Sequence, residues 1–215
     1  MEFKDELERA LPADLPNRDS VITKSARHLG MVLEANQYLN LTRIVSPSEA
    51  AIKHVLDSVA PWRLFEGARR IVDAGTGAGF PGIPLALILP STRFILAESI
   101  QKKARFVEGV VAALELPNAA VSAQRAEELT RDGSADMIVA RALAPVSKAL
   151  DLFGSALKRG TRIFLYKGPD VEREITEASR QAEKLRAHIR VALEFDLPNG
   201  MGSRRVVEIG IKSGR

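Results

Sequence analysis

The sequence predicts an α/β fold: a doubly wound, mostly parallel sheet that finishes in an antiparallel pair of strands. Three observations carry this. Apolar runs of strand length alternate with segments of helical period along most of the chain, the pattern of strand–helix–strand units. One unit is unusually explicit. Ile71-Val72-Asp73-Ala74-Gly75-Thr76-Gly77-Ala78-Gly79-Phe80-Pro81-Gly82, running into Ile83-Pro84-Leu85-Ala86-Leu87, reads as strand, glycine turn and apolar helix. The last two strands, residues 189–195 and 207–211, are joined by Pro198-Asn199-Gly200-Met201-Gly202-Ser203. That connection is too short for a crossover helix, so the pair is antiparallel.

In chain order, residues 1–66 read as a helical extension ahead of the first strand, with residues 67–215 as one compact unit. Between residues 21 and 39, Ile22, Leu29, Val32, Leu33 and Leu39 keep a mostly helical period. The loop Asn40-Leu41-Thr42-Arg43-Ile44 follows. Ser46-Pro47-Ser48-Glu49 then opens a helix, with serine as cap, proline at the first helical position and glutamate completing a capping box. Its apolar stripe is Ile52, Val55, Leu56 and Val59. His54, Asp57 and Ser58 gather on the opposite face, which on spacing alone reads as a solvated surface.

Past the glycine turn, residues 93–97 form a second strand ending at Glu98. Ser99 can cap the next helix, whose stripe is Ile100, Ala104, Val107, Val111 and Leu114. Residues 119–123 are the third strand and lead into Arg125-Ala126-Glu127. The fourth strand, 135–140, ends at Arg141. A helix over 145–157 closes on Lys158-Arg159-Gly160, a basic last turn and a glycine stop. The fifth strand, 161–166, ends at Lys167-Gly168-Pro169. A mostly charged helix over 170–187 precedes the final pair, where Ile189, Val191, Leu193 and Phe195 alternate with polar residues, as do Val207, Ile209 and Ile211.

Composition narrows the class. The 215 residues suffice for one sizeable domain with a small extension. With no cysteine, disulfide and thiolate chemistry are excluded, which fits a reducing compartment. No apolar run reaches membrane-spanning length, and Glu2, Asp5, Glu6 and Glu8 are unlike a signal peptide, so a cytoplasmic location without membrane attachment is expected. Lys and Arg number 31 against 27 Asp and Glu, a mild excess that permits an RNA partner without requiring one. The 3 histidines are far apart, so no metal site is expected.

The glycine turn admits two ligand readings, besides a glycine-rich connection that holds no ligand at all. Gly77-x-Gly79-x-x-Gly82 matches the dinucleotide fingerprint, with Glu98 about where its ribose-binding acid belongs. Asp73-x-Gly75-x-Gly77-x-Gly79 also fits. Pro81 and Pro84 remove two amide donors that a diphosphate would want, and Asp73 would set a carboxylate beside an anion. S-adenosylmethionine has no phosphate, carries a sulfonium and an ammonium, and has a ribose diol. One acid at the end of the first strand and another after the second suit it better.

Ligands of open α/β sheets bind beyond the carboxyl ends of the strands. Here those ends carry Asp73, Glu98, Ala126-Glu127, Arg141 and Lys167. Asn40-Leu41-Thr42, His54-x-x-Asp57-Ser58, the full glycine motif, Arg141-Ala142-x-Ala144-Pro145 and Lys167-Gly168 occur in this order. Over about residues 36–211 the chain resembles the RsmG (GidB) family of bacterial small-subunit ribosomal RNA methyltransferases. The resemblance implies a seven-stranded, Rossmann-like methyltransferase sheet with an antiparallel last strand and an N-terminal helical extension. It also implies methyl transfer from S-adenosylmethionine to a guanine N7 in 16S rRNA, with that RNA or the small ribosomal subunit as partner; separately, a monomer without a metal is expected.

Carried over residue by residue, the resemblance puts cofactor contacts at Gly75, Phe80, Ala126, Glu127 and Arg141. Asp73, Thr76, Gly77 and Gly79 complete the expected cofactor turn. Glu98 stands where the family commonly has aspartate and is expected at the ribose diol. Arg43, His54, Lys167, Arg204 and Arg205 are expected to face RNA; for Arg204 and Arg205 the alternative is two exposed arginines starting an edge strand. Asn40, His54 and Arg141 are candidate orienting groups, and no general base is assigned. The acidic first ten residues match no motif. Competing classes are a methyltransferase for proteins or small molecules, a nicotinamide-dependent dehydrogenase, and a ribosome-assembly factor that binds cofactor without turnover.

Overall fold

Seven strands make one sheet: β1 (Arg70–Ala74), β2 (Arg93–Ala97), β3 (Ala119–Ser122), β4 (Met137–Arg141), β5 (Arg162–Lys167), β6 (Ala187–Asp196) and β7 (Ser203–Ile211). Their order is β3-β2-β1-β4-β5-β7-β6 in this computed structural model, which describes residues 2–211. The outer limits of the two expected units, residue 1 and residues 212–215, lie outside the described residues. β1 to β5 are parallel. β7 is antiparallel to β5 and to β6, so β7 alone is reversed. The antiparallel finish is as expected. The alternation in β6 is interrupted by a bulge between Val191 and Leu193, which lets Leu193 pair with Val206 directly after Val191 pairs with Val207.

The helices are α1 (Glu2–Ala10), α2 (Arg18–Leu39), α3 (Pro47–Ala50), α4 (Asp57–Val59), α5 (Gly82–Ile88), α6 (Gln101–Ala113), α7 (Ala126–Leu129), α8 (Val146–Lys158) and α9 (Val171–Lys184). Between α3 and α4 the chain widens into a π-helical turn, Ala51–Leu56. Helices cover both faces of the sheet, so the inner strands are continuous apolar runs rather than alternating ones. On one face Ile71, Phe94 and Phe164 pack with α1, α2, α5 and α6; on the other Val72, Ile138 and Ile163 pack with α8 and α9.

Half of the capping box forms: Glu49 N–H donates to Ser46 Oγ at 3.3 Å with Pro47 at the first helical position, while the Glu49 carboxylate accepts from Ser46 Oγ and from Lys53 rather than from the Ser46 N–H. The helix after β2 differs from expectation. Ile100, not Ser99, is its cap, Ile100 is exposed, and Val110 rather than Val111 is buried. The acidic first residues form α1, whose Leu7 is wholly buried, and Arg18 ties the segment down by donating to the carbonyls of Glu8, Leu11 and Pro12. Leu7→Ala is therefore expected to lower unfolding free energy by about 2–5 kcal/mol in denaturant titration.

Candidate functional site

The glycine turn is held by one buried carboxylate. Asp73 Oδ2 accepts from Thr76 Oγ1 at 2.6 Å and from Gly82 N–H at 2.8 Å. Asp73 is 0% exposed, so it braces the turn and the first residue of α5 rather than lying open beside a ligand. Gly75 and Thr76 N–H both donate to Ala97 O at 3.0 Å, tying the turn to the end of β2. Glycine is required here for two separate reasons. At Gly79 (φ +98°) a Cβ would lie 2.4 Å from Ile83 Cδ1, and at Gly82 it would lie 2.3 Å from Leu96 Cδ2. Gly77 (φ +60°) has open space around it, and only its backbone angle excludes a side chain.

The turn delivers Phe80 into a buried stack. His28 from α2 lies 4.5 Å from its ring centroid at 21°, and His54 from the π-helical turn lies 4.6 Å away on a nearly parallel plane at 10°. His28 Nε2–H donates to Ala78 O at 2.7 Å, which fixes the tautomer. Thr42 Oγ1 stands 3.0 Å from His54 Nε2, so the loop after α2 is fastened to the same stack. Burial drives both imidazoles to the neutral form. His28 falls to about 4 against the pull of Ala78 O, and His54 to about 3, lowered further by the charges of Arg141 and His28. Burial raises the Asp73 carboxyl to about 6, against the hydrogen bonds from Thr76 and Gly82.

His54, Asp57 and Ser58 are buried, which corrects the solvated face expected from spacing. The end of the sheet covers them. Arg141 at the end of β4 reaches the π-helical turn, where Nη1 donates to Lys53 O at 2.9 Å and approaches Asp57 Oδ2 at 3.3 Å. Its guanidinium carbon also stands 5.4 Å from the centre of the Phe80 ring. Tyr166 OH donates to Ser58 O at 2.8 Å. A cleft of about 400 Å³ opens here, lined among others by Lys53, His54, Asp57, Arg141, Lys167 and Arg204.

The remaining expected residues separate into three groups. Glu98 is 7% exposed and accepts from Ile100 N–H through Oε1 at 2.8 Å; Ala126 and Glu127 open α7 at the next strand end. Lys167 lines the cleft but is a strut, donating to Ala144 O at 2.7 Å and Glu174 at 2.6 Å. Arg204 and Arg205 lie on an inner strand, not an edge. Arg204 pairs with Asp57 at 3.2 Å, and Arg205 with Glu172 and Glu194. Asn40 and Arg43 are exposed outside the cleft lining, Asn40 ending α2 in the left-handed region at φ +49°. Sequence reasoning missed His28 and Lys53. His28 had a signal: with Val21, Ser25, Leu29 and Val32 it follows the buried helical period of α2.

The family model for rRNA small subunit methyltransferase G matches residues 22–196. The chain belongs to that family. The ribosomal RNA small subunit methyltransferase G of Solibacter usitatus is 57% identical over 209 residues, spanning 97% of this chain and 100% of that one. The namesake from Carboxydothermus hydrogenoformans is 34% identical, over 84% of this chain and 79% of its own. The O-methyltransferase of Bacillus cereus solved in complex with SAH has the same fold, with a TM-score of 0.58 at 21% identity, covering 86% of this chain and 91% of that one. This chain is an S-adenosylmethionine-dependent rRNA methyltransferase. Its turn suits that cofactor: Gly75 is open to solvent, Glu98 keeps one carboxylate oxygen beyond its bond to Ile100, and Ile100 presents an exposed apolar side chain beside it. Among the described residues, no helix is long and apolar enough to cross a membrane.

The neutral stack makes the fold acid-sensitive. His28 and His54 bind protons less readily folded than unfolded, so their contribution is complete above the unfolded value near 6.5 and is lost as pH falls. Asp73, with its raised folded value, opposes this by favouring the folded state as pH falls through 6. Two histidines outweigh one carboxylate. Unfolding free energy is expected to be roughly 3 kcal/mol lower at pH 5 than at pH 7.5, measured by denaturant titration at both.

Proposed function

We propose that this chain methylates N7 of a guanine in 16S rRNA and does so without a general base. The cleft carries the reading. It opens at the carboxyl ends of β4 and β5, beside the glycine turn, and its one imidazole is neutral and turned onto Thr42. Guanine N7 brings an in-plane lone pair and carries no hydrogen, so no proton has to leave at any stage; transfer to an amine, an amide nitrogen or a hydroxyl would oblige one to leave. S-adenosylmethionine, when bound, supplies an electrophilic methyl on sulfonium. Gly75, Gly77 and Glu98 hold it, with Ala126 and Glu127 at the neighbouring strand end, while Asp73, Thr76, Gly79 and Phe80 keep the turn in shape. Arg141 orients the two halves of the site, anchored on the π-helical turn and lying over Phe80. Positioning of this kind can supply much of the acceleration.

In this reading the chain acts in the cytoplasm as a monomer without a metal, residues 1–66 serve as an extension that shapes the cleft, and Arg43 meets RNA outside it. His54 orients; it does not take a proton. The test is incubation with S-adenosylmethionine and small-subunit RNA lacking the modification, followed by mass mapping. The expected product is 7-methylguanosine at one position, with a single-turnover rate nearly flat from about pH 6.5 to 8.5. A different methylated nucleoside, or a rate that rises tenfold per pH unit and loses that rise in His54→Gln, would contradict it.

A further inference from the structure

We infer that Asp57 reads the Watson–Crick edge of the target guanine, accepting from N1–H and the exocyclic amine and facing the positive charge that N7 methylation leaves on the ring. This rests on the methyl-transfer reading of the cleft. Asp57 is the one carboxylate among the described residues lining it. Its Oδ1 is buried and makes no hydrogen bond, and Arg204 Nε beside it, at 3.2 Å, is an ion-pair neighbour without hydrogen-bond geometry. A buried acceptor left in that state is costly and calls for a donor.

The cations around Asp57 are already engaged. Lys53 holds Glu49 at 2.6 Å, Lys167 holds Glu174 at 2.6 Å, and Arg141 and Arg204 share Asp57. The cleft therefore looks basic by residue type but is largely neutralised, by Asp57 within it and by Glu49 and Glu174 outside its lining. That suits an uncharged base that becomes a cation, and not a phosphate. Guanine offers two parallel donors, N1–H and N2–H, which match the two oxygens of a carboxylate. Adenine presents a bare acceptor at N1 and would face Asp57 unfavourably.

Arg204 is the cover that gives way. Its side chain is 24% exposed, and its Nη1 donates to the carbonyl of its own neighbour, Ser203, at 3.0 Å. It is the second residue of β7, two positions after Gly202 in the connection from β6, where Asn199, Gly200 and Gly202 all have positive φ. Moving Arg204 outward uncovers Oδ1 for one donor of the incoming base, and the other donor shares Oδ2 with Arg141.

The experiment uses small-subunit RNA carrying guanosine or inosine at the mapped methylation position. Inosine keeps N7 and N1–H and lacks the exocyclic amine. RNA affinity in the presence of S-adenosylhomocysteine, and single-turnover rate with S-adenosylmethionine, are measured for wild type and Asp57→Asn. Wild type is expected to prefer guanosine by about tenfold or more in rate or affinity, the loss of one charge-assisted hydrogen bond. Asp57→Asn should reduce that preference to within about twofold. A merely structural role would lower both RNAs equally and leave the preference intact. Wild type treating the two RNAs alike would overturn the inference without any variant, as would undiminished preference in a folded Asp57→Asn. Failure of wild type to form 7-methylguanosine on the guanosine RNA would instead overturn the methyl-transfer reading, and this inference with it.

Discussion

One carboxylate oxygen, Asp73 Oδ2, holds the glycine turn closed by accepting from Thr76 and from Gly82. Everything around the site follows from that brace. With the turn fixed, Phe80 is presented between His28 and His54, and its ring becomes the contact through which α2, the π-helical turn and the end of β4 meet. Each stacked pair contributes on the order of 0.5–1.5 kcal/mol beyond its burial. The interior tolerates this only with uncharged imidazoles, because Arg141 already places a cation over the same ring. The brace has its own cost, since a buried carboxylate is disfavoured. The two hydrogen bonds offset part of it.

The arrangement separates two tasks that share one edge of the sheet. Gly75, Gly77 and Glu98 lie at the ends of β1 and β2, toward the cofactor, whereas Lys53, Asp57 and Arg204 gather at the ends of β4 and β5. Arg141 stands between them. The π-helical turn matters because it carries His54 and offers the Lys53 and His54 carbonyls to that guanidinium. Wider turns of this kind are rare and are frequently found at functional sites.

Much of the architecture was legible from local pattern. Strand ends, the serine cap at Ser46 and the antiparallel finish all follow from periodicity, turn residues and connection length. The polar cleft was not, because its pairings join residues distant in sequence. The buried face of His54, Asp57 and Ser58 reads as solvated until Arg141 and Arg204 arrive from strands far along the chain. Arg204 and Arg205 read as exposed because nothing local announces that β7 is inserted between β5 and β6. Glu208 has the same origin: an acid in mid-strand, 4% exposed, supported by Arg162 and Arg190 from neighbouring strands. The strand ends located Arg141 and resemblance added Phe80, while His28, which stacks on Phe80, lay outside every motif.

The central claim is that the turn braced by Asp73 holds the cofactor. Calorimetric titration of S-adenosylhomocysteine into wild type and Gly77→Val tests it most directly, since a valine at Gly77 meets open space in the protein and is opposed by a backbone angle of +60°. The account predicts binding to wild type and affinity at least about tenfold weaker in the variant, whose circular dichroism stays that of the folded chain. Equal affinity in a folded Gly77→Val would contradict it.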